Sequence, residues 1–556
     1  MFASAAHPGL LFFFFFLFFP PFFSTPSSSL YSLLFLKRSH HEKIIVVDQT
    51  VAFVGGIDLA LMRYDDSKHQ LSDSAGLWRY NDYQNIRVVD FKSVELNEKD
   101  VVDRRNVPRQ PWRDIACQVT GAVATDVGRH FIERWSHARR LQGGARYYDI
   151  DTAIELQAPD RQIILSRVEK ANEKAEEAVA VAKAVTTRGE KVRISSSVVL
   201  KELESCIPKA VSLAMPLSSA QVLRSVSRWS AGTRHESSIH SAYCNLIENA
   251  ENFVYIENQF FASATVEGDS NMGNRIASAL LTRLLKAVRS KQKFRVVVVM
   301  PLFPGFAGEV ENDTGNSGPL LTVMHWQYRT ICRGNNSIFS QLQKAIQESG
   351  SDKKPSDFIQ FLSLRTWAVM GGGGGGERLV TENVYVHSKA LIVDDVSVVV
   401  GSANINDRSM LGNRDSEMCM LMEDETKVFG RSMREASMME FFGESSYINW
   451  MDDQVWFNMA KRAKENTEAY REVMHPLPDD TLTTWSQVKK MRASRTFDTD
   501  KYAPDQMKAP VGDAAAVRTM RERVKGIVVE FPLDFLKDEN LVEWMSMGGL
   551  APSIFN

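Results

Sequence analysis

Two short signatures of histidine, lysine and aspartate stand far apart in the chain with identical spacing. The matching residues are His41, Lys43 and Asp48 in the first copy and His387, Lys389 and Asp394 in the second. Cleavage of a phosphodiester needs a nucleophile, an acid for the leaving oxygen and positive charge on the nonbridging oxygens. If the copies face each other, one imidazole can attack phosphorus while the other protonates the alcohol and later activates water. The two lysines would then hold the phosphate charge.

The signatures lie inside a longer internal repeat. The segment HEKIIVVDQTVAFVGGID from His41 aligns without gaps to HSKALIVDDVSVVVGSAN from His387. A single histidine on a strand is usually a core or surface residue, and one signature could arise by chance. Two copies that also share apolar spacing and small-residue ends favour catalysis. Asn404, with the small Ser402, offers a neutral donor, and we expect Asp58, at the matching position of the first copy, to contact the substrate.

Each copy of the repeat predicts a hairpin of buried strands. Apolar runs flank the signature aspartate on both sides, at 44–47 and 51–54 in the first copy and at 391–393 and 398–400 in the second. A histidine and a lysine two residues apart project from the same face of a strand. The second strands end in small residues, Gly55-Gly56 and Gly401-Ser402. Residues of this size allow a backbone or an anion to come close.

The region between the copies alternates strands with helices. An apolar run at 253–256 is followed by Glu257, Asn258 and Gln259, which we predict to contact the substrate. Residues 274–289 have the periodicity of an amphipathic helix, and 294–300 resemble a buried strand. This alternation predicts the α/β class, with a sandwich in each half. The composition of the stretch at 168–191 indicates a charged helix or solvated linker. The run Gly371–Gly376 indicates a flexible loop, and it lacks the downstream lysine of a nucleotide-binding loop.

Bulk properties narrow the class of protein. The chain has 556 residues, 44% of them hydrophobic and 24% charged, which predicts an ordinary globular protein with at least two core units. A formal net charge of −2 provides no overall attraction to nucleic acid or anionic lipid. The five cysteines form no CxxC pair, which indicates free thiols in a reducing compartment. Metal binding by the signature histidines is disfavoured, because each is paired with a cation.

The N-terminal segment is treated apart from the fold. The run from Leu10 to Phe19 is shorter than the ~20 apolar residues that span a bilayer, and prolines follow it. A signal peptide normally carries a lysine or arginine before its apolar run, and none precedes this one. A wrongly assigned gene start explains the segment at least as well as targeting does, and a signal or membrane anchor remains the alternative.

At these motifs the chain resembles the phospholipase D superfamily, and within it the eukaryotic phosphatidylcholine-hydrolysing enzymes. The shared motifs are HHEKIIVVDQTVAFVGGIDLA from His40, PWRDIA from Pro111, RHFIERW from Arg129, YIENQFF from Tyr255, YRTICRG from Tyr328, VHSKALIVDD from Val386 with GSANINDRSMLGNRDSEM, and VVEFPLDFL from Val528. The resemblance implies two pseudo-symmetric lobes that share one metal-independent site without a cofactor. It also implies hydrolysis of phosphatidylcholine to phosphatidic acid, or transfer to an alcohol, through a phosphohistidine.

Residue roles carried over from the family complete the expected site. His41 would be the nucleophile and His387 the general acid, an order that sequence symmetry alone leaves open. Family members place a carboxylate after each signature to orient an imidazole. Glu417 matches that position for the second copy, and Asp82 is a weaker match for the first.

The resemblance also implies partners. Members respond to phosphatidylinositol bisphosphate, and the matching helix here carries four arginines: Arg129, Arg134, Arg139 and Arg140. Such a cluster could meet anionic headgroups at about 1 kcal/mol per basic side chain. A threonine, Thr125, stands where another basic residue is expected, so an ordinary solvated helix face is the alternative. Small GTPases and a cytoplasmic, peripheral location on membranes are further implications of the family, whereas nucleic acid is not an expected partner.

One departure from the family is large. Members carry phox and pleckstrin-homology domains, or a calcium-binding lipid domain, and further strands of the first lobe before the first signature. We therefore expect a fragment, divided into an apolar segment at 1–39, a partial first lobe at 40–200, a second lobe at 201–445 and a C-terminal segment at 446–556 that packs on the core. The rival functions are a related nuclease or phosphatidyltransferase, and an inactive scaffold that binds phosphoinositides.

Overall fold

The computed structural model describes residues 38–86, 100–105, 107–141, 219–269, 271–305, 318–371, 378–493 and 513–541. Several features discussed above lie outside these residues: the apolar segment up to residue 37, the charged stretch at 168–191 and the glycines at 372–376. In the described part, strands and helices alternate along the chain, which confirms the predicted α/β class.

The secondary structure is defined as follows. The strands are β1 (Ile44–Val47), β2 (Val51–Gly55), β3 (Trp112–Arg113), β4 (Ala116–Thr120), β5 (Ser219–Val226), β6 (Glu236–Ser237), β7 (Phe253–Asn258), β8 (Arg295–Val299), β9 (Ile359–Met370), β10 (Arg378–Asn383), β11 (Tyr385–Val386), β12 (Lys389–Val393), β13 (Ser397–Gly401), β14 (Glu417–Glu423) and β15 (Val528–Glu530). The α-helices are α1 (Ala122–Leu141), α2 (Arg228–Ala231), α3 (Ser238–Glu248), α4 (Ile276–Arg289), α5 (Gly318–Ile331), α6 (Ile338–Glu348), α7 (Asp407–Met410), α8 (Val428–Phe442), α9 (Asp453–Val473), α10 (Trp485–Ala493) and α11 (Ala514–Arg523).

A large mixed sheet carries the second signature. Among the described strands, ten form this sheet in the order β10-β9-β8-β7-β12-β13-β14-β5-β6, with β15 paired to β9. β7, β8 and β9 run parallel, and α4 and the pair α5–α6 provide the crossovers that parallel strands require. The sequence RVVVV of β8 is buried throughout, as expected of a β-branched strand covered on both faces. The strands predicted at 253–256 and 294–300 and the helix at 274–289 are thus confirmed as β7, β8 and α4.

The second copy of the repeat is the hairpin β12–β13 in the middle of this sheet. Its register pairs Ala390 with Val400 and Val393 with Ser397. The turn is closed by a 3.0 Å hydrogen bond from the Val396 N–H to the Val393 carbonyl. Asp394 has a φ of 54°, in the left-handed region that aspartate tolerates better than most residues. Asp395, the next residue, has a φ of 60° in the same region, so the signature aspartate is one of two residues that adopt this conformation in the turn.

The first copy forms the same kind of hairpin, β1–β2, which β4 extends to a three-stranded sheet. The turn repeats the geometry of the second copy: the Thr50 N–H donates to the Val47 carbonyl at 3.0 Å, and Asp48 has a φ of 50°. β2 ends at Gly55, where a Cβ atom would lie 2.4 Å from the Cα of Ala116 in β4. A glycine is needed at that position because the two strands approach so closely.

The chain divides into two compact units. In the described residues, the smaller unit contains 44–53 and 118–141, and the larger unit contains the remainder. His41 and Lys43 belong to the larger unit, together with the whole second signature. The predicted lobe boundary near residue 200 lies outside the described residues.

The C-terminal segment contributes directly to the large sheet. β15 pairs with β9 in antiparallel register, with Val528 opposite Leu364. On α9, the side-chain amide of Asn466 donates to the carbonyls of Lys525 and Val528 at 2.9 and 2.8 Å, which fixes the helix against β15. No helix in the described residues has both the length and the apolar character needed to cross a bilayer.

Candidate active site

The first histidine is placed by the start of β14. The His41 N–H donates to the Ser416 carbonyl at 3.0 Å, and the Ser416 N–H donates to the Ser39 carbonyl at 2.9 Å. These bonds align residues 39–41 beside the strand that begins at Glu417. As a result, Nδ1 of His41 lies 2.8 Å from Oε1 of Glu417.

Glu417 is held in place by hydroxyl groups. It is fully buried, and it accepts hydrogen bonds of 2.6 Å from Ser402 to Oε2 and from Ser409 to Oε1. A buried carboxylate is tolerated only when such donors replace water. Ser402 follows β13 at the position that the repeat assigns to a small residue. It therefore positions the carboxylate that orients His41.

The second histidine is placed by β3, which pairs in parallel with β11. The His387 N–H donates to the Arg113 carbonyl at 2.7 Å, and Nδ1 of His387 lies 2.8 Å from Oδ2 of Asp114. The indole N–H of Trp112 donates to the same carboxylate oxygen at 3.3 Å, and its ring centroid is 4.9 Å from that of His387. The three residues Trp112, Arg113 and Asp114 thus fix both the backbone and the ring of His387.

Each of the two histidines is paired with a carboxylate from the other half of the chain. His41 of the first copy is oriented by Glu417, which follows the second signature, and His387 is oriented by Asp114, which follows the first. A carboxylate that accepts a hydrogen bond from Nδ1 keeps the proton of the neutral imidazole on that nitrogen, which leaves a lone pair on Nε2. Within the described residues, neither Nε2 atom has a hydrogen-bond partner. Both reactive nitrogens are therefore available to a substrate.

The two lysines occupy equivalent positions beside their histidines. Nζ of Lys43 donates to the His41 carbonyl at 2.7 Å and lies 3.2 Å from Oδ1 of Asp58. Nζ of Lys389 donates to the His387 carbonyl and to Oε1 of Gln259, the latter at 3.0 Å. Each lysine thus donates to the carbonyl of its own histidine. Their second partners differ, because Lys43 contacts the carboxylate of Asp58 and Lys389 contacts the neutral amide of Gln259.

The electrostatics of the site are asymmetric. Burial lowers the pKa of His387 well below its ordinary value, and the positive charge of Lys389 lowers it further. Burial also lowers the pKa of Lys389, although the charge of Asp114 opposes that shift. For Asp58, burial would raise the pKa, but the positive charges of Lys43 and Arg63 outweigh it and hold the carboxyl ionised. At neutral pH, His387 is therefore a neutral imidazole, whereas Asp58 is an anion.

Asp58 has a second cationic partner that the sequence reasoning missed. Oδ2 of Asp58 lies 3.4 Å from Nε of Arg63, whose guanidinium carbon is 4.1 Å above the ring of Trp112. Arg63 also lowers the pKa of His387 through its charge. The cations Lys43 and Arg63 thus share one carboxylate.

Several residues predicted for the site have structural positions instead. Asp394 accepts three backbone hydrogen bonds of 2.6–2.8 Å, from Glu251, Asn252 and Phe253, at the end of β12 opposite to Lys389. Asp48 is an exposed turn residue. Both signature aspartates thus lie in hairpin turns, and the catalytic role expected of them stays a prediction. Asp82 accepts the Met62 N–H at 2.6 Å, and the carboxylate expected from Asp82 is instead provided by Asp114.

The residues after β7 divide between structure and site. Glu257 is fully buried and accepts from the guanidinium of Arg113 at 2.9 and 3.2 Å, and Asn258 accepts the Ile405 N–H at 3.0 Å. Both side chains are therefore bonded within the protein, and the substrate contacts expected of them stay a prediction. Gln259 does lie at the site, through Lys389. Asn404 is buried, and its Oδ1 has no hydrogen-bond partner among the described residues.

The four arginines of α1 do not form one exposed cluster. Arg134 is only 4% exposed, so its side chain does not present a charge to solvent. Arg129 is exposed but forms a 3.0 Å ion pair with Asp126 one turn earlier. Arg139 is half-buried and Arg140 is exposed. Any anionic headgroup at this helix would meet fewer free charges than the sequence indicates.

The residues missed from sequence are chiefly Asp114, Arg63 and Ser409. Asp114 lies within PWRDIA, a motif already recognised, and an aspartate beside an aromatic residue in a shared motif was the available signal. Ser409 likewise lies within a recognised motif, GSANINDRSMLGNRDSEM, whereas Arg63 carries no local pattern that relates it to the histidines.

The comparisons with known proteins identify the family of the chain. A sequence model described as phospholipase D matches residues 27–423, and the chain belongs to that family. Phospholipase D zeta 2 of Arabidopsis thaliana is 34% identical over 563 residues, covering 89% of this chain and 52% of the relative. Human phospholipase D1 is 34% identical over 502 residues, covering 85% of this chain and 39% of the relative. The chain thus spans about half the length, or less, of these curated relatives.

A solved phosphatidylserine synthase of Haemophilus influenzae aligns with 77% of this chain and 68% of its own at 13% identity, with a TM-score of 0.34.

Proposed function

We propose that the chain hydrolyses phosphatidylcholine to phosphatidic acid and choline through a phosphohistidine, and transfers the phosphatidyl group to primary alcohols. The observation that carries the proposal is that each histidine is oriented by a carboxylate that follows the other signature. Because Glu417 and Asp114 each hold one Nδ1, the Nε2 atom of each ring is left to act on the substrate. Such a pair can act on opposite sides of one phosphorus atom.

The first chemical step forms the phosphohistidine. Nε2 of His41 attacks phosphorus, the bond from phosphorus to the choline oxygen breaks, and His387 donates its proton to that oxygen. His387 needs the proton at this stage, and the negative charge of a bound diester raises its pKa toward the protonated form. Lys43 and Lys389 hold the nonbridging oxygens, with the neutral amide of Asn404 as a further donor.

The second step releases the product. The now neutral His387 removes a proton from water, the oxygen attacks phosphorus, and the bond to Nε2 of His41 breaks. A primary alcohol in place of water gives the phosphatidylalcohol. Glu417 stabilises the positive imidazole of His41 during both steps, since its buried carboxylate lies 2.8 Å from Nδ1.

The substrate and partners follow from the family. The relatives are named phospholipases D, which supports a membrane phospholipid as substrate and peripheral binding at a lipid surface. A response to phosphatidylinositol bisphosphate or to small GTPases is proposed on the same basis. Arg140 is the exposed arginine of α1 that we expect to contribute to phosphoinositide binding.

The decisive assay measures phosphatidylbutanol formation from phosphatidylcholine vesicles in the presence of butanol and a metal chelator. We expect product with the unaltered chain and none above background with His41→Asn or His387→Asn. His40→Asn is the matched control, because this neighbouring ring stacks on Trp229 at 4.8 Å instead of pairing with Glu417. Full activity of either signature variant would refute the paired-histidine mechanism. Cleavage of single-stranded DNA without lipid turnover would favour a nuclease instead.

A further inference from the structure

A group of buried charged side chains lies next to the segment that holds His387. Its members are Asp65, His69, Arg109, Arg113, Glu257 and Glu440, none more than 13% exposed. We call these six residues the buried charge network. The mechanism above uses none of them directly, and buried ionic groups of this number are costly unless each is paired.

His69 is placed between two carboxylates. Its Nδ1 lies 3.1 Å from Oδ2 of Asp65, and its Nε2 lies 3.0 Å from Oε1 of Glu440. A carboxylate accepts hydrogen bonds but cannot donate them, so both ring nitrogens must carry a proton. His69 is therefore an imidazolium. Its φ of 47° is unusual for a non-glycine residue and indicates that the surrounding contacts determine its position.

The proton on His69 balances the network. Asp65, Glu257 and Glu440 contribute three negative charges, and the two arginines contribute two positive ones. Arg109 pairs with Asp65 at 2.7 Å, and Arg113 pairs with Glu440 at 2.7 Å and with Glu257 at 2.9 Å. Loss of the imidazolium proton would leave one buried carboxylate without compensation.

One route from His69 to the site runs through Asp65. Oδ2 of Asp65, which contacts the imidazolium, also accepts the Trp112 N–H at 2.7 Å. Trp112 in turn packs against the ring of His387 and donates to Asp114. Asp65 therefore anchors the start of the segment that orients His387.

The other route runs through Glu440. Arg113 lies between Glu440 and Glu257, and Glu257 accepts the Ser388 hydroxyl at 2.6 Å. The Arg113 carbonyl accepts the N–H groups of His387 and Ser388 at 2.7 and 3.2 Å. Side chain and backbone of Arg113 thus hold the two residues that precede Lys389.

We propose that protonated His69 is a positioning residue of the paired-histidine site, which fixes Trp112 and Arg113 and thereby the ring of His387 against Asp114. The inference rests on the proposed function, because it assigns His69 to the same reaction. His69 does not touch the substrate. Its effect should appear in kcat, since a displaced general acid slows the chemical step without weakening lipid binding.

The test compares His69→Gln with the unaltered chain in the phosphatidylbutanol assay, as a function of pH and substrate. A glutamine carries no charge and cannot donate to both carboxylates. We expect kcat to fall by ~10- to 100-fold with little change in KM. Losses of this size are typical when a residue that orients a metal ligand through a hydrogen bond is removed. The kcat of the unaltered chain relative to that of His69→Gln should decline above about pH 9, where His69 loses its proton, because the titrations of His387 and Lys389 are common to both proteins. The control is His235→Gln, at an exposed ring that bonds to the Leu411 carbonyl and lies outside the buried charge network.

A second variant separates positioning from mere stability. Glu440→Gln removes one of the two charges that hold the proton on His69, so the alkaline decline of kcat should move to lower pH. A structural role alone would lower the amount of folded protein without moving that decline. Unchanged kcat and pH profile in folded His69→Gln, or an unmoved decline in Glu440→Gln, would overturn the inference. Absence of activity in the unaltered chain would refute the proposed function instead.

Discussion

Gly56 lies so close to Asp114 that a Cβ atom on residue 56 would be 2.1 Å from Oδ1 of the carboxylate and 2.9 Å from the His387 carbonyl. The small residue after β2 therefore accommodates the carboxylate that orients the imidazole of His387. The equivalent residue of the second copy, Ser402, donates a hydrogen bond to Glu417. In both copies the small residue helps to place a carboxylate that orients a histidine. Gly56 leaves space for Asp114, and Ser402 donates a hydrogen bond to Glu417.

Substitution of Gly56 by alanine should impair catalysis more than folding. The methyl group must displace Asp114, and a shift of about 1 Å at an active site can reduce the rate by ~100-fold. We expect kcat of Gly56→Ala to fall by ~10- to 100-fold, measured as phosphatidylbutanol formation. Gly268→Ala is the control, because its site has a φ of +75° and open space around it, so it affects stability alone. Normal kcat in Gly56→Ala would show that Asp114 has room to move without consequence.

Removal of the negative charge of Asp114 should be severe. In Asp114→Asn, the amide can donate to Nδ1 of His387 and so favour the wrong tautomer, with the proton on Nε2. We expect a loss of ~10²- to 10⁴-fold in kcat, with near-normal thermal stability. The matched variant Asp82→Asn alters only the carboxylate that accepts the Met62 N–H, and it should retain most activity. If Asp82→Asn were the more damaging of the two, the assignment of the orienting carboxylate would be wrong.

Asp394 should matter for stability and not for chemistry. In Asp394→Ala, three backbone N–H groups lose a charged acceptor, and we expect the free energy of unfolding to fall by roughly 2–4 kcal/mol. Denaturant unfolding measures that loss, and kcat per folded molecule should stay within about threefold of normal because β12 separates Asp394 from Lys389. A large drop in kcat without loss of stability would restore a catalytic role to the signature aspartate.

Local patterns made part of this architecture predictable. The hairpins follow from two apolar runs around an aspartate, because burial and left-handed turns depend on neighbouring residues. The His–Lys pairs project from one face because they are two residues apart in an extended segment. β7, β8 and α4 were predictable for the same reason, since each has its own periodicity.

Contacts between distant segments were not predictable in this way. Asp114 and His387 are separated by 273 positions, and His41 and Glu417 by 376. Glu257 and Asn258 were predicted as substrate contacts because polar residues after a buried strand often face a site. Their partners, Arg113 and the backbone of Ile405, come from remote parts of the chain. Only the fold reveals that these side chains are already satisfied.

The pH dependence of stability gives an independent measure of the buried charge network. The two carboxylates beside His69 raise its pKa from 6.5 to about 9, although burial alone would lower it. Because the folded-state pKa is the higher one, the stabilisation is fully present below about pH 6.5 and is lost as pH rises through about 9. A shift of this size corresponds to about 3 kcal/mol. We expect the difference in free energy of unfolding between the unaltered chain and His69→Gln, measured by denaturant titration, to be largest near pH 6 and to shrink by pH 10. A difference that stayed constant across this range would mean that His69 is neutral in the folded protein and that the network is balanced without its proton.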